Sequence, residues 1–238
     1  MKYQIIKDLT KAIVLLVVIS SVVSCSMDDV YSCNEDANQW AKSNLTEIRQ
    51  MSSAAFLEIG DLVYQRAAFH AFTLNQRQAL WIEKLENVLK LDWTEQESMH
   101  IKSLIGLIKA NPFIFSETRD EKSFEKIEIE LYRWKEYAYE DLKWDTKLLY
   151  GIIGTPQEMD ENKEIILKLP SSPSIKTRGE SDCDCNGSFI WEMESSAGWF
   201  PCNFFNHQCD TGSGCEETTW GCGDFWQYKC NGTCISKN

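Results

Sequence analysis

The chain has 238 residues, 43% of them hydrophobic and 25% charged, with a formal charge of −12. That is enough for one or two domains and too apolar for wholesale disorder. With 36 acidic residues against 24 basic ones, it lacks the cationic excess behind nucleic-acid affinity and attraction to anionic lipid, so neither is expected as a partner on charge alone.

The ten cysteines are split, two near the N-terminus and eight from Cys183 to Cys234, with none between Asn34 and Asp182. Two regions held together by different physics are therefore expected.

Residues 1–24 have the form of an export signal. Lys2, Lys7 and Lys11 precede the apolar run from Ala12 to Val23, which is too short for the ~20 residues of a membrane-spanning helix. Val22-Val23-Ser24-Cys25 is similar to a bacterial lipobox, where a small residue precedes the cysteine whose thiol accepts diacylglycerol. The alternative is an ordinary secretory signal with Cys25 near its end. Lipid on Cys25 would tie the chain to a membrane and leave 21 basic and 35 acidic residues, a net charge of −14. Residues 25–36 then form an acidic tether, beginning Ser26-Met27-Asp28-Asp29, which points to an exported outer-membrane or cell-surface protein. Such a compartment is oxidising. Cys33 is the odd cysteine, expected as a free thiol or an intermolecular bridge, or bonded to Cys25 if no lipid is attached there.

Residues 37–169 are expected to form an all-α domain. Shorter helices are predicted around Ala37–Met51 and Asp61–Phe72. Thr73-Leu74-Asn75-Gln76 fits a capping box ahead of the stripe Leu74, Trp81, Leu85 and Val88. Thr94-Glu95-Gln96-Glu97 opens a helix with Ile101, Leu104, Ile105 and Ile108 on one face, stopped by Asn111-Pro112. One long helix is predicted from Arg119 to Tyr150, with Phe124, Ile127, Leu131, Trp134, Ala138, Leu142 and Leu149 facing the core. The aromatic residues Trp81, Trp93, Trp134, Tyr137, Tyr139 and Trp144 are expected in the core rather than in a ligand pocket. His70 and His100 have no metal-ligand neighbour at helical spacing, and no nucleophile elbow, HExxH or phosphate-binding glycine loop occurs. No catalytic residue, cofactor site or metal site is assigned, and the chain is not expected to be an enzyme. The domain is expected to act as a stalk, a carrier or an intramolecular partner.

Leu169-Pro170-Ser171-Ser172-Pro173 breaks the helical period, so residues 170–182 form a linker. Lys176 and Arg178 make it a candidate site for trypsin-like processing, with Arg178 nearest the boundary. An uncut linker would carry the same residues.

Residues 183–238 hold Cys183, Cys185, Cys202, Cys209, Cys215, Cys222, Cys230 and Cys234. A structural zinc site or a thiol oxidoreductase would show C-x2-C, which is absent. A small disulfide-rich domain of loops and short strands is expected, with four bridges among 105 pairings that the sequence leaves open. So short a segment needs such crosslinks to fold. It also carries ten aromatic residues and a charge of −5. That is more ring surface than its core can bury, so some rings are expected to stand exposed as a binding face.

The block Thr219-Trp220-Gly221-Cys222-Gly223-Asp224-Phe225-Trp226, the element Cys230-Asn231-Gly232-Thr233-Cys234 and the opening Cys183-Asp184-Cys185 resemble the bacteriocin fulvocin C-related family. The resemblance to the bacteriocin itself covers residues 183–234. A free peptide bacteriocin has neither the helical region nor the lipid signal. It implies an exported, lipid-anchored protein whose C-terminal module is antibacterial, held by the helical region and possible to release as a secreted fragment. Trp220, Phe225 and Trp226 are the candidate contacts to an envelope target on other bacteria, and a small immunity protein is an expected partner. The alternative is a non-toxic surface-binding or adhesion lipoprotein that uses the cysteine-rich tip for recognition.

Overall fold

A computed structural model of the chain describes residues 29–116, 121–166, 182–183, 207–210, 224–227 and 232–236. The expected signal peptide, Cys25, all of the 170–182 linker except Asp182 (Arg178 included), Trp220, and Cys185, Cys202, Cys215, Cys222 and Cys230 lie outside the described residues. The chain divides into two units, Met1–Val30 and Tyr31–Asn238, and the described helices belong to the second.

Helices begin where a side-chain oxygen takes an orphan amide. Asn34 accepts from the Ala37 N–H at the start of α1 (Glu35–Ser43), and α2 (Leu45–Ile48) follows directly. The single helix expected over 37–51 is thus divided at Asn44, whose side-chain amide donates to the Trp40 carbonyl (2.8 Å) and closes α1. Ser52 caps α3 (Ser53–Leu57), and Asp61 caps α4 (Leu62–Ala71) through the Val63 and Tyr64 amides. Helix α4 is the middle of the unit. Every residue from Gln65 to Ala71 is buried, and the small Ala67, Ala68 and Ala71 let neighbouring helices approach closely.

The capping boxes at Thr73/Gln76 and Thr94/Glu97 are both formed, opening α5 (Leu74–Val88) and α6 (Glu95–Ala110). The stripe of α6 is buried as expected. On α5, Trp81, Leu85 and Val88 are buried but Leu74, at the first position, is exposed. Asn111 ends α6, and Pro112 starts a 3-10 turn over Pro112–Phe115.

The predicted 119–150 helix is broken. Helix α7 (Glu121–Glu140) stops before Lys143, which adopts a left-handed backbone (φ 57°). The Leu142 amide reaches back to the Tyr137 carbonyl and the Trp144 amide to that of Ala138. A short α8 (Thr146–Leu149) then widens into a π turn, Tyr150–Gly154. The reason is tertiary: the turn swings the Trp144 indole onto Glu97 Oε1 (2.8 Å) and against Trp134. Beyond Gly154 the chain folds back on itself through a turn at 160–163, where Lys163 is left-handed (φ 63°), and Met159 pairs with Ile165 across it.

The described part of the tail contains three short strands, β1 (Asp182–Cys183), β2 (His207–Asp210) and β3 (Gly232–Ser236), antiparallel in the order β1-β3-β2. In this register Cys209 lies opposite Cys234 and Cys183 opposite Gly232. Among the described residues no helix is long and apolar enough to cross a membrane.

Candidate functional site: a tail turn enclosed by the helices

The Asp224–Gln227 segment lies inside the helical unit. Phe225 is 0% exposed and Trp226 1%, and both belong to the same apolar cluster as the helices. This corrects the expectation that these two rings stand on an open face. The charged and aromatic partners waiting for them in the helical unit supply the reason.

Each ring has an aromatic frame. Trp81 of α5 meets Phe225 edge-on at 5.1 Å, with Phe115 of the 3-10 turn at 6.4 Å. Phe69 of α4 stands perpendicular to Trp226 at 5.8 Å, and Phe56 of α3 lies at 6.5 Å. The Arg66 guanidinium carbon sits 4.7 Å from the Trp226 ring centre, a cation–π contact shielded from water. The Trp226 indole N–H donates to the Gly154 carbonyl (3.0 Å), so the polar tip of the ring is satisfied.

Gly154 itself allows no side chain, since a Cβ there would overlap the Tyr150 ring. Burial raises the Tyr150 phenol above its usual range, with Arg66 and a Thr155 hydrogen bond opposing.

The turn is anchored by charge. Lys135 of α7, 1% exposed, donates to Asp224 Oδ2 at 2.8 Å. Burial pulls the Lys135 ammonium below its ordinary value, while Asp224 first and Glu128 second hold it up. The Gln227 amide closes the turn onto the Asp224 carbonyl (3.1 Å).

Phe225 (φ 58°) and Trp226 (φ 53°) are both left-handed, a backbone that costs a bulky residue ~1–3 kcal/mol. Burying each ring contributes ~2–3 kcal/mol, and a buried ion pair comes close to breaking even. The strain of two left-handed residues thus offsets much of what burying the two rings contributes.

Polar side chains fix the walls of the pocket. Arg77 donates from Nε to the Phe69 carbonyl (3.0 Å), from Nη1 to that of Phe115 (2.9 Å), and from Nη2 to that of His70. Gln65 donates to the Phe56 carbonyl (3.2 Å) and accepts from Gln157 (2.8 Å), whose own carbonyl accepts from Lys84. Burial lowers the Lys84 ammonium to about 7, opposed by Glu158. Lys84, Asn87, Val88, Glu158 and Met159 line a cleft of about 220 Å³ beside it.

Lys84 and Lys135 were missed as site residues, although both left a signal. Each sits on an apolar helix face, Lys84 between Trp81 and Leu85, Lys135 beside Leu131, Trp134 and Ala138. A buried ammonium demands an oxygen partner.

The expected core aromatics divide. Trp81, Trp134 and Trp144 are buried, Trp93 is half-buried, and Tyr137 and Tyr139 are exposed, the last two against expectation. His100 stacks on Trp134 (4.4 Å, 6°), and its ring nitrogen pairs with the Trp134 carbonyl (3.0 Å).

Cys33 is disulfide-bonded, which corrects the expectation of a free or intermolecular thiol. A bond to Cys25 would deny that thiol to lipid. A bond to one of the eight tail cysteines leaves seven, and so cannot coexist with four bridges among those eight.

The site is thus a helical unit closed around four residues of the chain's own cysteine-rich end. No family model matches the chain, and neither a curated protein nor a solved structure does.

Proposed function

We propose that this is an exported, envelope-anchored, bacteriocin-like protein with lipid on Cys25. Its cysteine-rich residues 183–238 carry the antibacterial activity, and the helical unit is their carrier. The observation that supports this best is the engagement of Asp224-Phe225-Trp226, part of the bacteriocin-like sequence block, by helical residues far away in the chain. A carrier domain has to hold its cargo, and this contact is specific in charge, shape and hydrogen bonding. With lipid on Cys25, Cys33 pairs with one tail cysteine, and at most three disulfides among the other seven would keep the module folded outside the cell. The β2–β3 register favours one of them, Cys209–Cys234, because directly opposed residues of antiparallel strands lie about 4.5–5.5 Å apart, within disulfide reach.

The second reading, a surface-binding lipoprotein without toxicity, draws on the same burial. A tail that completes the helical core suits a protein that acts as one piece.

The test uses the oxidised chain from residue 25 onward on lawns of related and unrelated bacteria. Three samples are compared: intact, nicked by limited trypsin at Lys176 or Arg178, and reduced and alkylated. Clearing by the nicked, oxidised sample and none by the reduced one is expected. An oxidised, nicked sample that clears no lawn across a broad panel rejects the antibacterial reading in favour of the surface-binding one.

A further inference from the structure

Phe225 and Trp226 are the rings the sequence offers to a target, yet they are sealed among Trp81, Phe69 and Phe56. Three features distinguish this seal from ordinary core. Both residues are left-handed although neither is glycine, so they hold that backbone only while docked and relax on leaving. The anchor is an ion pair, Lys135–Asp224, which fixes position far more than it adds stability. When the turn leaves, Asp224 regains water, and Lys135 keeps the buried Glu128 as its neighbouring carboxylate. The helical side of the contact is thus not left with an isolated charge.

We infer that the helical unit is the tail's built-in inhibitor. The Asp224–Gln227 turn is a releasable plug, and the pocket formed by Arg66, Phe69, Trp81, Lys135 and the Gly154 carbonyl withholds Phe225 and Trp226 from any target. Docked and released forms are two states of one chain, and whatever favours the released state exposes both rings. The sequestration stands on the contacts alone, while its antibacterial consequence rests on the proposed function.

The full, oxidised chain is treated with chymotrypsin, and cleavage after Phe225 and Trp226 is followed by mass spectrometry. Asp224→Lys sets two ammonium groups against each other and is expected to speed cleavage at these sites at least tenfold, with the helical circular dichroism unchanged. Adding Lys135→Asp together with Glu128→Gln, so that the new carboxylate does not face a buried one, restores an opposite pair and the slow rate. Cleavage of Asp224→Lys no faster than the parent overturns the inference. So does failure of this combined variant to restore protection, or loss of the helical signal together with release, which would make the turn a structural core element. On lawns, the released variant clears more strongly than the intact parent. If the plug releases as described and nothing clears, the antibacterial reading fails and the latch remains.

Discussion

The helical unit contains two aromatic clusters, and they are assembled in opposite ways. The first joins Trp93, His100, Trp134 and Trp144, all from the helical stretch itself. Every indole N–H there has an acceptor within the helical stretch: Val88 for Trp93, His100 for Trp134, Glu97 for Trp144. The second is unfinished until the tail arrives. Trp81, Phe69, Phe56 and Phe115 frame a space that Phe225 and Trp226 fill, and Trp81 Nε1 has no hydrogen-bond partner among the described residues. A cluster complete within its own stretch is scaffold. One that needs a strained guest from the far end of the chain is a place where state can change.

Removing one ring from each cluster sharpens that contrast. Trp134→Ala is expected to cost ~3–5 kcal/mol, as for a large aromatic cut out of a packed core. Trp226→Ala is expected to cost less, ~2–3 kcal/mol, because the left-handed backbone relaxes and offsets part of the loss. Denaturant melts of the helical signal measure both. A Trp226→Ala loss within about 0.5 kcal/mol of zero would mark that ring as surface, and a loss equal to that of Trp134→Ala would erase the distinction between the clusters.

A smaller effect is expected from acid. Burial lowers His100 below its usual value, with the hydrogen bond to Trp134 opposing. The unfolded chain then binds the proton more readily, so this contribution is present above about pH 6.5 and is lost as pH falls through the folded value. Replacing His100 with Gln should flatten the stability profile below pH 6.5, read from melting temperature against pH. An unchanged slope would exclude His100 as the group responsible.

Much of the scaffold was legible because its causes are local. Thr73 and Thr94 announce their helices through residues three positions away, and Ile101, Leu104, Ile105 and Ile108 repeat along one buried face. The 119–150 helix was over-extended for the complementary reason. Leu142 and Leu149 continue the period, but Trp144 leaves it to reach Glu97, 47 positions earlier. The burial of Phe225 and Trp226 was illegible for the same cause at longer range, since the Trp226–Gly154 and Lys135–Asp224 bonds span 72 and 89 positions. The cysteine-dense composition also suggested a module with a core of its own. Lys135 on an apolar face was the available clue that a carboxylate would come from elsewhere.

The most direct test of the account is amide hydrogen exchange on the intact, oxidised chain, read at Phe225, Trp226 and Gln227. These amides are expected to be protected well beyond an exposed loop, yet to exchange faster than Leu104, Ile105 and Ile108 on the buried face of α6, because the turn opens without unfolding the helices. Exchange at loop rates would contradict the enclosed site, and exchange only with global unfolding would contradict its release.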